Sequence, residues 1–242
     1  MIGTERQRAI LDYMREHETI SVSQIVKTFY VSEATARRDL NVLEQAGSIR
    51  RVFGGATLVV GSDCQVPLFV REREDEREKS HIGKRAATLI KDGQILFIDG
   101  SSTAQFLLPY LSAFKDLIVI TNGLKIAQAL GEMHIKVYST GGLLMENSSV
   151  LIGEDAERFI DGFNADICFL SCKGLSNDGK FTDTSYSETL LRKRFLANSE
   201  TKVILMTQNK LGKKYIHTLC KKEDIDYVVM DEDLPIEKIN KK

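Results

Sequence analysis

The sequence lacks any long apolar segment. No apolar run in its 242 residues approaches the roughly 18 that a membrane-spanning helix needs, so we expect no membrane partner. The first residues, Met1 to Arg6, also lack the apolar core of a signal peptide. We therefore expect a cytoplasmic protein, and a content of 43% hydrophobic and 28% charged residues is typical of a globular one.

An excess of positive charge is also missing. The net charge of −1 excludes an overall basic surface of the kind that binds a polyanion everywhere. The basic residues of the first part of the chain are clustered instead, since Arg37, Arg38, Arg50 and Arg51 make up four of the eight lysines and arginines in residues 1–56. Clustering of this kind indicates a local anion-binding surface.

The four cysteines follow no disulfide framework. Cys64, Cys168, Cys172 and Cys220 are irregularly spaced, which favours free thiols in a reducing compartment. Cys168 and Cys172 lie four residues apart, but on a predicted strand and the turn after it, with no histidine nearby. We therefore predict no metal site and no cofactor. A redox role for Cys172 remains the alternative.

Residues 32–43 are predicted to form a short helix with two unlike faces. Ala36, Leu40 and Leu43 recur at helical spacing and form an apolar stripe. The arginines lie away from this stripe, beside a small residue, and arginine can bind guanine with two hydrogen bonds in a major groove. The alternative is an ordinary surface helix with solvated arginines. The candidate DNA contacts on this helix are Ser32, Ala34, Thr35, Arg37, Arg38 and Asn41.

The neighbouring segments favour DNA binding. Thr4–Gln7 and Ser21–Gln24 are predicted capping boxes that begin two preceding helices, and Tyr30-Val31 is a tight turn before the basic helix. This order is a helix-turn-helix.

A predicted hairpin follows the basic helix. Residues 49–53 alternate as a strand, and Gly54-Gly55 makes the turn. The hairpin is a β-wing that would carry Arg50 and Arg51 towards the DNA backbone. The wing adds Arg50, Arg51, Gly54 and Gly55 to the candidate DNA contacts. Phosphate contacts of this kind set register and affinity, whereas base contacts from the helix set sequence choice.

The rest of the chain alternates strand and helix patterns. Such alternation predicts a doubly wound, mostly parallel α/β domain, in which ligands bind at the carboxyl ends of the strands. The apolar runs that predict its strands are residues 95–98, 117–120, 135–138, 167–170, 203–206 and 227–230.

Small polar residues and glycines follow most of these strands. They expose backbone N–H groups, which favour anions such as phosphate, and Lys210 could add charge. Asp99 and Asn122 could hold sugar hydroxyls. The alternative is that these residues only cap helices and make turns. The candidate ligand contacts are Asp99, Gly100, Ser101, Ser102, Thr103, Thr121, Asn122, Gly141, Gly142, Lys173, Gly174 and Lys210.

The residues of the first domain carry a family resemblance. Residues 32–40, SEATARRDL, followed by Gly54-Gly55-Ala56, resemble the winged-helix signature of the DeoR family of bacterial transcriptional regulators, S-x-x-T-I-R-R-D-L and G-G-A. Ala36 stands where the family usually has isoleucine. In the second domain, residues 99–103 are similar to the family's D-x-G-(S/T)-T loop, and Lys210 to the lysine of its D-S-S-K stretch.

The resemblance implies a function. It implies a repressor with a fold of the ribose-5-phosphate isomerase type, used to sense a phosphorylated sugar. Two positions depart from the family pattern: Ser101 replaces a glycine in the phosphate loop, and Thr207 replaces an aspartate before Lys210. The resemblance also implies operator DNA as partner. We expect a homodimer or homotetramer, because one short helix reads few base pairs.

These patterns predict three segments and one leading function. The segments are a DNA-binding domain at 1–57, a linker at 58–78 and a sensor and oligomerisation domain at 79–242. We expect no enzymatic activity and no catalytic residues. The alternatives are a sugar-phosphate isomerase that uses Asp183 or Glu188 as a proton shuttle, and a DNA-binding protein whose second domain only oligomerises. Pairing of Glu188 with Arg192 is the simpler interpretation of that segment.

Overall fold

The computed structural model describes residues 3–45, 48–58, 68–145, 148–232 and 236, apart from the side chains of Arg15 and Phe69. The chain divides into two compact units, Met1–Glu74 with Glu146–Ser148, and Asp75–Met145 with Ser149–Lys242. The predicted linker at 58–78 lies partly outside the described residues, and its described part is largely helical.

The first unit is a small helical domain with a three-stranded antiparallel sheet in the order β1-β3-β2. Its strand β1, which precedes the second helix, is an element that the sequence patterns did not predict. The elements are α1 (Gly3–His17), β1 (Thr19–Ser21), α2 (Val22–Phe29), α3 (Glu33–Gln45), β2 (Ile49–Val52), β3 (Gly55–Leu58) and α4 (Leu68–Arg73).

One of the two predicted capping boxes is present. Ser21 caps α2, because its hydroxyl accepts from the Gln24 N–H and the Gln24 side chain accepts from the Ser21 N–H. The box predicted at Thr4 is wrong. Helix α1 already begins at Gly3, and the Gln7 amide donates to a carboxylate on α3 at 3.1 Å instead of reaching back to the helix start.

The second unit is built around one parallel sheet, and its helices connect the strands. Up to the fourth strand of that sheet its elements are α5 (Glu76–Ala87), β4 (Ile95–Ile98), α6 (Leu108–Leu111), β5 (Ile118–Thr121), α7 (Leu124–Glu132), β6 (Lys136–Ser139), β7 (Leu143–Leu144), β8 (Leu151–Ile152), α8 (Glu154–Asp161) and β9 (Ala165–Ser171). The remaining elements are β10 (Gly174–Leu175), β11 (Lys180–Asp183), α9 (Tyr186–Ala197), β12 (Ser199–Leu205), β13 (His217–Lys221) and β14 (Tyr227–Val229).

Six parallel strands form the main sheet, in the order β14-β12-β9-β4-β5-β6. The chain runs from β4 outwards to β6 and then returns to β9, so the strand order reverses between β4 and β9. In a doubly wound sheet this reversal opens a crevice at the carboxyl ends of the two strands. The sheet is the doubly wound parallel one that the apolar runs predicted.

Both faces of the sheet are buried. Leu96 and Ile98 of β4 belong to one core cluster, whereas Phe97 between them belongs to the other. Because successive side chains of a strand point to opposite faces, a strand covered on both sides is apolar throughout. This explains why its sequence is a continuous apolar run.

Candidate nucleic-acid interface and candidate ligand site

The two faces of α3 are as unlike as predicted. Ala36, Leu40 and Leu43 are completely buried in the core of the first unit. The predicted DNA contacts on the helix are exposed, except Thr35, which is half-buried: Ser32, Ala34, Thr35, Arg37, Arg38 and Asn41. The helix therefore presents a polar, basic face to solvent.

Two exposed residues also have local roles at the start of the helix. The Ser32 hydroxyl accepts from the Thr35 N–H at 3.2 Å, which satisfies a backbone donor of the first turn. Arg37 donates to Glu33 at 2.6 Å across one helical turn. Exposed pairs of this kind contribute little to stability, so Glu33 holds the Arg37 side chain only weakly.

Asp39 holds α3 in place, a role that the sequence patterns missed. Its carboxylate is buried and accepts from the Arg6 guanidinium at 2.6 and 3.3 Å and from the Gln7 amide at 3.1 Å. Both donors lie on α1, so the contacts join α3 to α1. An acidic residue within the apolar stripe, directly before Leu40, was the signal for a buried partner.

The two arginines of the wing have different environments. Arg50 is exposed, as expected of a phosphate contact. Arg51 is half-buried, and its guanidinium donates to the Asn41 side chain at 2.6 Å and to the Gly55 carbonyl at 3.2 Å. Arg51 therefore ties the wing to α3, and the prediction that both arginines extend towards the DNA backbone stays a prediction.

In the second unit, the loops after the strands are joined to one another. Asp99, directly after β4, accepts from the N–H of Ser171, the last residue of β9, at 3.1 Å. Asn122, after β5, accepts from the Gly100 N–H at 2.9 Å. The Thr140 N–H, after β6, donates to the Thr121 carbonyl at 3.1 Å. The structure thus brings four of the predicted loops together at the carboxyl edge of the sheet.

A buried arginine lies at the centre of this edge. Arg192 on α9 donates to Asp99 at 2.7 Å, to Asp183 at 2.8 Å and to Glu188 at 3.0 Å, and all four side chains are buried. Burial alone would lower the pKa of the Arg192 guanidinium, but the three carboxylates together raise it. The predicted Glu188–Arg192 pair is confirmed, and Asp183 is the last residue of β11.

Lys210 lies beside this cluster. Its ammonium group donates to the Ser171 hydroxyl at 3.0 Å, and the side chain is half-buried. Burial lowers the pKa of Lys210 below its ordinary value. At the position where the family has an aspartate, the Thr207 hydroxyl contacts the Asn209 side-chain oxygen at 2.7 Å. The Lys210 ammonium group thus lies at the carboxyl end of β9, beside the buried arginine cluster.

The predicted ligand contacts fall into two sets. The first set is buried, and several of its polar groups already bind within the protein, since Asp99 accepts from Ser101, Ser171 and Arg192. This set comprises Asp99, Gly100, Ser101, Ser102, Thr103, Thr121, Asn122 and Gly174. The second set has exposed surface and consists of Gly141, Gly142, Lys173 and Lys210. Asp99 and Asn122, predicted to hold sugar hydroxyls, are therefore first of all structural.

Two glycines of the buried set are explained by close packing. A Cβ atom on Gly100 would lie 2.2 Å from the Val150 side chain and 3.0 Å from Gly123. A Cβ on Gly174 would lie 2.4 Å from the Lys213 carbonyl. Neither glycine thus needs a bound phosphate to account for it.

The described cysteines belong to the core. Cys168, Cys172 and Cys220 are buried and free, and burial raises the pKa of Cys172 to about 11, so its thiol stays protonated near neutral pH. Within the described ranges, no group of three or more histidine, cysteine or acidic side chains could hold a metal ion. The same part of the chain contains no helix that is both long and apolar enough to cross a bilayer.

One solved structure has a similar architecture over nearly the whole chain. The translation initiation factor eIF-2B from Pyrococcus horikoshii OT3 matches with a TM-score of 0.50 at 13% identity, over 98% of this chain and 90% of that one. This likeness concerns the fold alone. Ribose 5-phosphate isomerase A from Methanocaldococcus jannaschii matches over 57% of this chain and 55% of that one, with a TM-score of 0.43 and 17% identity.

Comparisons with sequence families cover both units. Residues 6–60 match the DeoR-like helix-turn-helix domain, and residues 74–232 match the DeoR C terminal sensor domain. The HTH-type transcriptional regulator GolR of Listeria innocua is 36% identical over 243 residues, 100% of this chain and 93% of that protein. The glycerol-3-phosphate regulon repressor of Escherichia coli is 28% identical over 237 residues, 98% of this chain and 94% of that protein. The chain therefore belongs to the DeoR family of transcriptional regulators, and its winged helix-turn-helix is the part that binds DNA.

Proposed function

We propose that this regulator is a repressor of sugar-metabolism genes and that a phosphorylated sugar controls its affinity for operator DNA. The observation that carries the proposal is the half-buried Lys210 ammonium, which donates to Ser171 at the crevice between β4 and β9. A doubly wound sheet binds its ligands at this place, and a lysine there can pair with a phosphate. A relative of the chain is named as a glycerol-3-phosphate regulon repressor, which fits a phosphorylated effector.

The exposed residues of the same edge would supply the other contacts. Lys173 follows β9 and is half-buried, and Gly141 and Gly142 follow β6 and are exposed. The backbone N–H groups of such glycines can approach an anion closely. We therefore assign the phosphate to Lys210, Lys173 and the backbone N–H groups of Gly141 and Gly142.

The arrangement supports a sensor more than an isomerase. Asp183 and Glu188, the carboxylates that an isomerase would use to move a proton, both bind the Arg192 guanidinium. A general base must be free to take a proton from the substrate, and a carboxylate held by a buried arginine is poorly placed for this. We propose that the carboxylates organise the site and do not catalyse.

Control of DNA binding requires a difference in affinity. The protein is taken to have one conformation that binds DNA and one that does not. The effector lowers the population of the DNA-binding conformation only if it binds the other conformation more tightly. We propose that the protein acts on DNA in the cytoplasm as a homodimer or homotetramer, because two half-sites multiply the small binding energy of one helix.

A thermal-shift panel of phosphorylated pentoses, hexoses and glycerol tests the effector. A ligand at 100 times its Kd stabilises by about 2.7 kcal/mol, which corresponds to a rise in Tm of roughly 5–11 °C for a domain of this size. Lys210→Met should abolish the shift. Lys91→Met is the matched control, because Lys91 is exposed and precedes β4 at the opposite edge of the sheet, and it should keep the full shift.

The same ligand is then added to a gel-shift assay with operator DNA. A ligand that raises Tm and changes DNA affinity, both through Lys210, supports the proposal. If no phosphorylated sugar stabilises the protein, the domain only oligomerises. If the protein turns over a sugar phosphate and Glu188→Gln abolishes the turnover, the isomerase alternative is correct.

A further inference from the structure

The tip of the wing carries a fully exposed phenylalanine. Phe53 lies in the two-residue turn between β2 and β3, and its neighbour Val52 is also exposed. Large apolar side chains that project into water without packing on the protein often mark a contact with a partner. Phe53 contributes nothing to the core of the first unit, and the DNA contacts predicted above do not include it.

Backbone contacts hold the turn that carries Phe53 in place. Gly54 has a φ of +79°, which favours glycine at the second position of the turn. Its carbonyl accepts from the Val22 N–H of α2 at 2.9 Å. A Cβ on Gly55 would lie 2.3 Å from the Ile20 carbonyl, so the hairpin packs tightly on β1. Little backbone entropy is left to lose when Phe53 meets a partner.

The surroundings of the tip indicate nucleic acid. Arg50 alternates with Arg51 along β2 and is exposed, as Val52 is, whereas Arg51 turns inwards and binds Asn41 of α3 at 2.6 Å. The wing is therefore tied to the helix that reads the DNA, and its exposed side combines a cation with apolar groups. A polyanion with an apolar interior matches this combination.

We propose that Phe53 is an apolar wedge that enters the minor groove beside the site read by α3 and partly unstacks one base step. Proteins that use such wedges exchange stacking energy for a bent duplex that contacts more protein surface, and phenylalanine is a suitable wedge. The step should be a flexible pyrimidine–purine step, which is the easiest to open. The proposal rests on DNA binding by the winged helix and is independent of the sugar-phosphate effector.

The experiment uses the full chain and a duplex selected from random DNA by the wild-type protein. 2-Aminopurine is placed in turn at each position of both flanks, because its fluorescence rises when it is unstacked. We expect a rise at one step per half-site on binding wild-type protein. Phe53→Ala should remove the rise and weaken binding roughly 10- to 100-fold, the equivalent of burying one phenyl group. Phe53→Leu should restore most of both effects.

Three controls separate the explanations. Arg50→Ala should weaken binding and reduce its salt dependence but keep the rise in fluorescence, because it removes only a phosphate contact. Tyr186→Ala removes an exposed aromatic from the second unit and should change neither effect. Far-UV circular dichroism should show that Phe53→Ala is folded.

Certain outcomes overturn the wedge while leaving DNA binding intact. The proposal is wrong if the selected duplex binds tightly without a rise at any flanking position, or if Phe53→Ala binds as tightly as the wild type. It is also wrong if Phe53→Ala changes the oligomeric state in sedimentation experiments and leaves the fluorescence rise unchanged, because the tip would then contact a second copy of the chain.

Discussion

Removal of the Arg192 guanidinium should destabilise the second unit strongly. Arg192→Met keeps most of the volume of the side chain but leaves Asp99, Asp183 and Glu188 without the cation that binds all three at 2.7–3.0 Å. The three carboxylate side chains are 1–4% exposed, so water cannot replace the arginine. Like charges that are buried together repel one another, which adds to the loss of the cation.

The size of the effect follows from this burial. An ion pair at about 3 Å attracts by roughly 5 kcal/mol at an effective dielectric constant of 20, and desolvation of the ions offsets a large part of this. Loss of one partner from a buried pair is measured at about 3–5 kcal/mol, because an uncompensated charge remains. For a domain of 150–250 residues this corresponds to a Tm that is roughly 6–20 °C lower.

Arg194 on the same helix is the matched control. Its side chain is 49% exposed, and its pairs with Glu157 and Asp161 have N–O distances of 3.6 Å. Arg194→Met should therefore cost less than about 1 kcal/mol. Urea denaturation followed by circular dichroism measures both variants, since the chain has no tryptophan for fluorescence. If Arg192→Met and Arg194→Met lose the same stability, the buried cluster does not stabilise the fold in the way described.

Three further predictions concern the other contacts. Asp39→Ala should cost the first unit about 3–5 kcal/mol in urea denaturation, because it leaves the Arg6 guanidinium without its buried partner; a cost below 1 kcal/mol would contradict this. Arg38→Ala should weaken operator binding in a gel shift by about 1–3 kcal/mol and relax the base preference at one position. Arg37→Ala should weaken binding to all sequences alike. If Arg38→Ala binds the operator as tightly as the wild type, Arg38 takes no part in recognition. Gly83→Ala should lower the Tm measured by circular dichroism by several degrees, because its Cβ would lie 2.1 Å from the Phe106 carbonyl, and an unchanged Tm would show that α5 can move aside.

The sequence contained enough local information to predict the elements of both units. The stripe at Ala36, Leu40 and Leu43 and the capping box at Ser21 depend on residues within one or two helical turns, and both were found where predicted. The buried strands could also be predicted from the sequence, because a strand covered on two faces has to be apolar throughout. The family signature added the identity of the two domains.

Long-range pairing is what the tertiary structure decided. Arg192 binds Asp99 from 93 positions away, and Arg6 binds Asp39 from 33 positions away. No periodic pattern encodes such a pair, because it depends on which helix packs on which strand and in what register. The capping box predicted at Thr4 is absent for the same reason, since the Gln7 amide donates to Asp39 on another helix.

The sequence by itself thus determined a winged helix-turn-helix and a parallel α/β sheet, since propensity, periodicity and turn chemistry act over a few residues. Only the tertiary structure decided which polar residues face outwards. It turned Arg51 inwards and left Arg50 exposed, and it engaged Asp99 and Asn122 within the protein while Lys210 kept exposed surface. The physical reason is that a buried polar group must find a partner, and the fold supplies that partner from distant parts of the chain.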